Sequence, residues 1–219
     1  MTLVRVSAAR RRARLAARHC LGPSARAASA ARAAAAVAVL HGTDPATVYL
    51  AVRARTAGVS AQDVAGELYR ERALVRMLGM RRTVFVVPAA LVPVIQAAAA
   101  DDIARRLGTR LARELQDGGV APDGAAWLAE TCDAAVAALE RLGPSTGAQL
   151  SRAETRLQER LHMAPGKSYG GAVAVASRVL TLVSAQGRIV RGEPLGGWTS
   201  TQFRWHLPGD WLPGLEQPP

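Results

Sequence analysis

The chain has 219 residues and carries 28 basic against 17 acidic side chains, which gives a formal net charge of +11. This length allows one large domain or two small ones. Alanine supplies much of the apolar fraction, so we expect a thin core built mainly from helices. The longest apolar run, Ala33 to Leu40, is too short to span a membrane, and the early arginines leave no apolar segment of a signal peptide.

The positive charge comes almost entirely from arginine, since Lys167 is the only lysine. The guanidinium group offers a planar fork of donors that matches phosphates and guanine edges. Codon bias in a GC-rich genome explains a choice of arginine over lysine, but it does not explain the net excess of positive charge. The composition therefore indicates a polyanionic partner.

Cysteine and histidine give no metal-binding pattern. Cys20 and Cys132 are the only cysteines, and neither stands in the spacing of a zinc site. Two cysteines so far apart indicate free thiols in a reducing cytoplasm. Because His19, His162 and His206 are scattered, we predict no metal site, and nothing in the sequence calls for a cofactor.

Residues 1–88 predict a helical module that ends in a β-hairpin. Stop signals and caps delimit helices at Ser7–Cys20, Ala25–Leu40, Thr47–Thr56 and from Ser60 to about Arg70. The first helix has the composition of a transit peptide, but it leads directly into patterned sequence, which favours a basic amphipathic helix. Two apolar runs between Leu74 and Val87 flank Arg81 and Arg82, which predicts a hairpin with both arginines at its tip.

Residues 89–141 predict a helical connector, and residues 142–207 repeat the plan of the first module. Thr146 caps a short predicted helix with Gln149 in the capping-box position. We expect further helices at Arg152 to about Leu161 and at Ala172–Ala185, then two strands in GRIVRG and GWTSTQFRW. We expect an irregular tail over residues 208–219. The predicted fold is thus mainly α with two small β-hairpin wings, as in tandem winged-helix modules joined by a helical segment.

Five separated stretches resemble the winged-helix DNA-binding family of the AlkZ-type and YcaQ-type DNA glycosylases, in that family's order. They are VLHGTDPATVYLAVRAR, RALVRMLGMRRTVFVVP, GPSTGAQL, GKSYGGAVAVASRVLTLVSAQGRIVRG and GWTSTQFRW. The resemblance implies a concave basic surface for double-stranded DNA. It also implies excision of alkylated purines and, in some relatives, unhooking of interstrand crosslinks. Because family members are longer, we expect this chain to be truncated at its C-terminus.

The family's catalytic motif, Gln-x-Gln or Gln-x-Asp, falls here on His41, Gly42 and Thr43, with Asp44 directly after. The resemblance implies that these residues position water at the glycosidic carbon. Hydrolysis at a cationic alkylpurine needs a polar group that orients water and offsets positive charge on the sugar, which suits Asp44, with His41 and Thr43 as hydrogen-bonding partners. The alternative is structural: Thr43 or Asp44 caps the helix that Pro45 opens.

Candidate DNA contacts lie on both hairpins and on the helix between them. Arg81 and Arg82 are placed for phosphate or minor-groove contact. The segment Lys167, Ser168 and Tyr169 precedes a helix and is suited to clamp a phosphate, although it lacks the spacing of a nucleotide-binding loop. Further candidates are Arg178, Arg188, Arg191, Arg204 and Trp198. We expect the arginines of the two hairpins to share one face.

Two functional hypotheses remain open at this stage. The first is a cytoplasmic, monomeric glycosylase that needs no cofactor and acts on alkylated DNA. The second is a non-catalytic winged-helix regulator that binds a palindromic site as a dimer, or an inactive fragment. Both hypotheses predict that DNA affinity falls steeply with salt through counterion release.

Overall fold

The fold is mainly helical with one central antiparallel sheet. It is known from a computed structural model that describes residues 5–163 and 171–214. The α-helices are α1 Ala8–Arg18, α2 Ala30–Ala36, α3 Pro45–Arg53, α4 Ala61–Ala65, α5 Val92–Ile95, α6 Asp101–Asp117, α7 Gly124–Leu142, α8 Gly147–Ala153, α9 Val175–Ala185 and α10 Pro208–Trp211. Single π-helical turns, Gly66–Arg70 and Gln96–Ala100, extend α4 and connect α5 to α6.

Within the described residues, seven strands form two sheets. They are β1 Leu40–His41, β2 Leu74–Leu78, β3 Val84–Pro88, β4 Arg160–Met163, β5 Gly171–Ala174, β6 Val190–Pro194 and β7 Phe203–His206. The five-stranded sheet has the order β1-β3-β2-β6-β7, and β4 pairs with β5 in a separate two-stranded sheet. All the pairings are antiparallel.

Both predicted hairpins are confirmed, but they are not separate wings. The β2–β3 and β6–β7 hairpins join through a pairing in which Arg76 and Arg191 are opposite each other. Strand β1 then extends the sheet beyond β3, with Leu40 opposite Val86. The short polar segment that follows β1 is therefore tied to the first hairpin, which the sequence patterns did not predict.

Helix starts follow the predicted caps. Asp44 caps α3, since its Oδ1 accepts a hydrogen bond from the Ala46 amide at 3.0 Å. Complete capping boxes open α4 and α8, the latter with Thr146 and Gln149. Side chains that satisfy the first free N–H groups fix where a helix begins, so local sequence is sufficient to place these boundaries.

Three predicted helices and the predicted irregular tail differ from the structure. The first three residues of the helix expected over Ala172–Ala185 belong to β5, so α9 begins at Val175. The tail begins with α10, Pro208–Trp211, because Trp211 is buried against the core.

The helix expected from Arg152 to about Leu161 is wrong, because α8 ends at Ala153 and a 3-10 turn, Thr155–Gln158, leads into β4. The long helix expected over residues 25–40 is reduced to α2. Its N-terminus is held by the buried Glu67, whose carboxylate accepts hydrogen bonds from the Ala30 and Ala31 amides at 2.8 and 2.6 Å.

The core has two main parts, and both include residues of the central strand β2. The first packs α2, α3 and the α4 region against Leu40, Leu74 and Val86. The second packs α6, α7, α8 and α9 around Leu78 and Trp205. On β2, Leu74 thus belongs to one part and Leu78 to the other. Helix α1 contributes no buried residue to either part.

Candidate functional site

The segment His41 to Asp44 joins β1 to α3 and is anchored by its glycine. The Gly42 amide donates a hydrogen bond of 2.8 Å to the Val84 carbonyl oxygen. A Cβ on Gly42 would lie 3.3 Å from Cγ2 of Val86, so the sheet favours a residue without a side chain here. This anchoring fixes the backbone on either side of Gly42.

The three polar residues of this segment are all exposed. The His41 ring contacts the Phe85 ring edge to face, with centroids 5.6 Å apart. Asp44 uses only Oδ1 to cap α3, and among the described residues Oδ2 has no hydrogen-bond partner. The segment thus presents an imidazole, a hydroxyl and one unengaged carboxylate oxygen to solvent.

The tip of the β2–β3 hairpin carries Arg81 and Arg82, as predicted. Both residues adopt left-handed backbone conformations, with φ of 59° and 60°, and both side chains are exposed. Thr83 stabilises the turn, since its hydroxyl donates to the Met80 carbonyl oxygen at 2.9 Å. Positive φ at both central residues is the geometry of the tight turn that joins two twisted antiparallel strands.

The hairpin tip faces α6 across a groove lined by both tip arginines and by two arginines of the helix, Arg106 and Arg110. Arg106 pairs with Asp102 at 2.8 Å, and Arg110 pairs with Glu114 at 2.7 Å. Sequence reasoning missed these two residues because it treated the segment only as a connector. Their spacing of four residues, which puts them on one face of a helix, was the available signal.

Strand pairing brings the 41–44 segment close to the arginine-bearing tip. Gly42 is hydrogen-bonded to Val84, and Arg82 lies two residues before Val84 in the chain. Two residues of extended chain span about 7 Å. The sequence-predicted catalytic and DNA-binding groups of the first half are therefore neighbours at one end of the hairpin.

Two predicted contacts in the second half are engaged in ion pairs. Arg178 is half-buried and pairs with Glu114. Burial works to raise the pKa of Glu114, and the hydrogen bonds and charges of Arg110 and Arg178 together lower it below its ordinary value. Arg188 pairs with Asp133 at 2.8 Å. These pairs tie α9 and the chain after it to α6 and α7.

The expected common face does not include both arginines of the second hairpin. Arg191 is opposite Trp205 in the β6–β7 pairing, so the two share a face of the sheet. Arg204 precedes Trp205 in β7 and points to the other face, because side chains alternate along a strand. Arg204 is exposed, whereas Arg191 is largely buried against the Phe203 and Trp205 rings.

Trp198 and Trp205, near the second hairpin, differ in burial. Trp205 is only 4% exposed and belongs to the core. Trp198 is 40% exposed and lies against Tyr49, with ring centroids 4.9 Å apart. Lys167, Ser168 and Tyr169 lie outside the described residues, so their predicted phosphate contact stays a prediction.

The part of the chain that the structure describes contains neither a metal-binding group nor a helix that could cross a membrane. Residues 5–163 and 171–214 contain no group of three histidine, cysteine, aspartate or glutamate side chains suited to hold a metal ion. Over the same residues, every helix is too short or too polar to cross a membrane.

The fold and the exposed basic groove define a mainly helical protein with an arginine-rich surface beside a small polar segment. A family model for AlkZ-like DNA glycosylases matches residues 34–219. The chain belongs to the AlkZ-like DNA glycosylase family. Helix α1 precedes the matched region.

A solved structure has the same fold at low sequence identity. It is the Streptomyces sahachiroi DNA glycosylase AlkZ, with a TM-score of 0.64 and 17% identity over 91% of this chain. The chain spans about half of that protein, 49% of its length. No curated protein sequence matches the chain.

Proposed function

We propose that this protein binds double-stranded DNA and hydrolyses the N-glycosidic bond of alkylated purines, as a monomeric glycosylase without a cofactor. One observation carries the proposal: the Gly42–Val84 hydrogen bond fastens the polar 41–44 segment beside the arginine-bearing hairpin tip. A DNA-repair site needs arginines that bind the phosphates. It also needs polar groups nearby that act on the sugar. Membership of the AlkZ-like family supports the same function.

In the proposed reaction, the free carboxylate oxygen of Asp44 orients a water molecule toward the anomeric carbon. The bond from water oxygen to carbon forms while the bond to the purine nitrogen breaks. An alkylated purine leaves as a neutral base because it began as a cation, and the proton that the attacking water loses passes to the Asp44 carboxylate and then to solvent. Negative charge on Asp44 offsets positive charge that develops on the sugar. His41 and Thr43 supply further hydrogen bonds to the water.

We propose that DNA lies along the groove between the hairpin tip and α6. Its arginines, Arg81, Arg82, Arg106 and Arg110, would contact the phosphates, since exposed guanidinium groups bind phosphate without reading sequence. In this proposal the two halves act as tandem winged-helix modules that share one sheet, and Arg204 and the segment 167–169 add contacts from the second module. Because the proposed partner is DNA, the proposed location is the bacterial cytoplasm, in association with the nucleoid.

The deciding experiment measures base release from duplex DNA that contains 7-methylguanine, by chromatography of the free base. Asp44→Asn should reduce the rate about 100-fold or more, because it removes the charge while asparagine still caps α3. His41→Ala should reduce it less, by about 10-fold, through the loss of one hydrogen bond.

The matched control is Asp123→Asn, which alters an exposed aspartate cap at the start of α7 far from the 41–44 segment in sequence. This variant should release base at the wild-type rate. Full activity of both Asp44→Asn and His41→Ala would remove the site assignment, and no release by the wild type would remove the enzymatic proposal.

The second candidate function is a non-catalytic DNA-binding regulator. The cap that Asp44 makes to the Ala46 amide favours it, because this contact gives Asp44 a structural role without catalysis. A regulator with palindromic sites would be a dimer in solution, whereas the glycosylase acts as a monomer. Sedimentation analysis together with the base-release assay distinguishes the two.

A further inference from the structure

Two arginines face each other at the centre of the five-stranded sheet. Arg76 of β2 is opposite Arg191 of β6, and both side chains lie on the face that carries Trp205. Arg76 is only 6% exposed. It stands between Leu74 and Leu78, and therefore between the two parts of the core.

Neither guanidinium group forms an ion pair within the part of the chain that the structure describes. Among the described residues, no carboxylate lies within 4.0 Å of Arg76 or Arg191. Three of their buried nitrogens have no hydrogen-bond partner, namely Nε and Nη1 of Arg76 and Nε of Arg191. Burial, reinforced by the charge of Arg76, lowers the pKa of Arg191 to about 10, which leaves the Arg191 guanidinium charged at neutral pH.

Aromatic side chains surround the pair, and one of them, Tyr69, forms a hydrogen bond with Arg76 through its hydroxyl. The guanidinium carbon of Arg191 lies 4.7 Å from the Phe203 centroid and 4.9 Å from the Trp205 centroid, and that of Arg76 lies 5.8 Å from Phe203. Stacking engages the faces of a guanidinium group, whereas its donors lie in the plane. The rings therefore orient the two forks, while three buried in-plane nitrogens stay without an acceptor among the described residues.

We propose that Arg76 and Arg191 form a binding site for a phosphate group, seated between the two parts of the core on this face of the sheet. A tetrahedral oxyanion supplies what the pair lacks, since its oxygens accept in-plane hydrogen bonds from both forks and its charge offsets their repulsion. The unpaired nitrogens are costly without such a ligand, because a buried donor that has lost water and gained no partner is destabilising.

The site lies apart from the arginines of the groove and requires no base excision. The ligand is either a phosphate of the DNA backbone or a free phosphate ion. Both would be bound in the same way, through oxygens that accept hydrogen bonds from the two guanidinium groups. Only the choice of DNA as the source rests on the proposed function. The site itself is tested with inorganic phosphate.

The first measurement is the unfolding temperature of the full chain in phosphate and in chloride at equal ionic strength. A ligand that binds only the folded state raises this temperature, and we expect a rise of about 3–6 °C for the wild type in phosphate at saturation. Arg191→Gln should lose most of the rise, and Arg191→Lys should keep part of it. Phosphate also stabilises proteins through exclusion from their surfaces, so the relevant quantity is the difference between wild type and variant.

Arg141→Gln is the matched control, because it removes one exposed arginine at the end of α7 and should respond as the wild type does. Arg191→Gln removes one of two facing charges, and its unfolding temperature in chloride should equal or exceed that of the wild type. An equal response of wild type and Arg191→Gln, or no response of the wild type beyond that to chloride, overturns the site.

The second measurement identifies the source of the phosphate. Affinity for an undamaged duplex, at fixed salt, should fall about 10-fold in Arg191→Gln if a backbone phosphate enters the site. An unchanged affinity together with a lost phosphate response supports the site and assigns it to a free phosphate ion. Base release by the wild type is scored separately, so its absence leaves this inference standing.

Discussion

Single side chains in this protein serve structure and candidate chemistry at once. Asp44 illustrates this, because one carboxylate oxygen caps α3 while the other has no partner among the described residues. The sequence left the capping and catalytic roles of Asp44 as alternatives. The geometry makes them compatible, since the two oxygens of a carboxylate accept hydrogen bonds independently.

The arginines differ in how well their positions in the fold can be predicted from the sequence. Arg81 and Arg82 are exposed at the predicted hairpin tip, because two apolar strands around a short polar segment fix a turn locally. Arg76 gave no such signal, although it interrupts the apolar run of β2. Its burial depends on the pairing of β2 with β6, which is formed by residues more than a hundred positions apart.

Cys132 provides a prediction about pH at the residue scale. Burial raises the pKa of this thiol to about 11, although the nearby Arg188 acts in the opposite direction. In a Cys20→Ser variant, native Cys132 should therefore react slowly with an alkylating reagent at pH 7.5, and its rate should rise about 10-fold per pH unit up to about pH 11. Labelling followed by mass spectrometry gives the rate.

The same shift links Cys132 to stability. The pKa of Cys132 in the folded state exceeds the unfolded value of about 9. The protonated thiol therefore contributes to the free energy of unfolding, on the order of 2 kcal/mol. This contribution is intact below pH 9 and is lost as pH rises through 11.

The control of the labelling experiment is the chain unfolded in guanidinium, which should label with a midpoint near pH 9. Rapid labelling of the native variant at pH 7.5 would contradict the burial of this thiol.

At the scale of elements, the packing of α6 against α7 depends on a close approach at one glycine. Gly124 begins α7, directly after its Asp123 cap. A Cβ at this position would lie 2.0 Å from the carbonyl oxygen of Ala112 in α6, which is far inside contact distance. The approach is made by backbone, so no side-chain rotation can relieve it.

We expect Gly124→Ala to lower the free energy of unfolding by about 3 kcal/mol, because the two helices must move apart. This loss corresponds to a fall of about 6–12 °C in unfolding temperature, measured by circular dichroism. Gly22→Ala is the matched control, since a Cβ there meets nothing within 4 Å, and it should unfold as the wild type does. Equal stability of both variants would show that α6 and α7 are not so closely packed.

Elements with local signals were predictable, and those without them were not. Caps and capping boxes placed the starts of α3, α4 and α8 correctly. The two-residue strand β1 and the β4–β5 pair were missed, because short strands carry too few residues for a periodic pattern. Strand β4 was assigned to a helix for the same reason.

At the scale of the whole molecule, the charge of +11 predicts salt-dependent binding to any DNA. The groove between the hairpin tip and α6 concentrates four arginines. Each phosphate that a protein neutralises releases counterions, so the logarithm of affinity falls linearly with the logarithm of salt concentration.

We therefore expect the double variant Arg81→Gln, Arg82→Gln to bind an undamaged duplex more weakly and with a salt slope reduced by about two. Fluorescence anisotropy over a salt series measures both quantities. Arg156→Gln serves as the control, since Arg156 is paired with Glu130 at 3.6 Å, and its slope should match that of the wild type. A slope unchanged by the double variant would place the DNA elsewhere.

The sequence by itself determined the helix starts, the two hairpins, the basic character and the resemblance to a DNA glycosylase family, because caps, turns and composition act over a few residues. Only the tertiary structure decided that both hairpins form one sheet, that Gly42 is bonded to Val84, and that Arg76 is opposite Arg191. Backbone pairing between distant strands is set by how the whole core packs, and no local pattern encodes the partner.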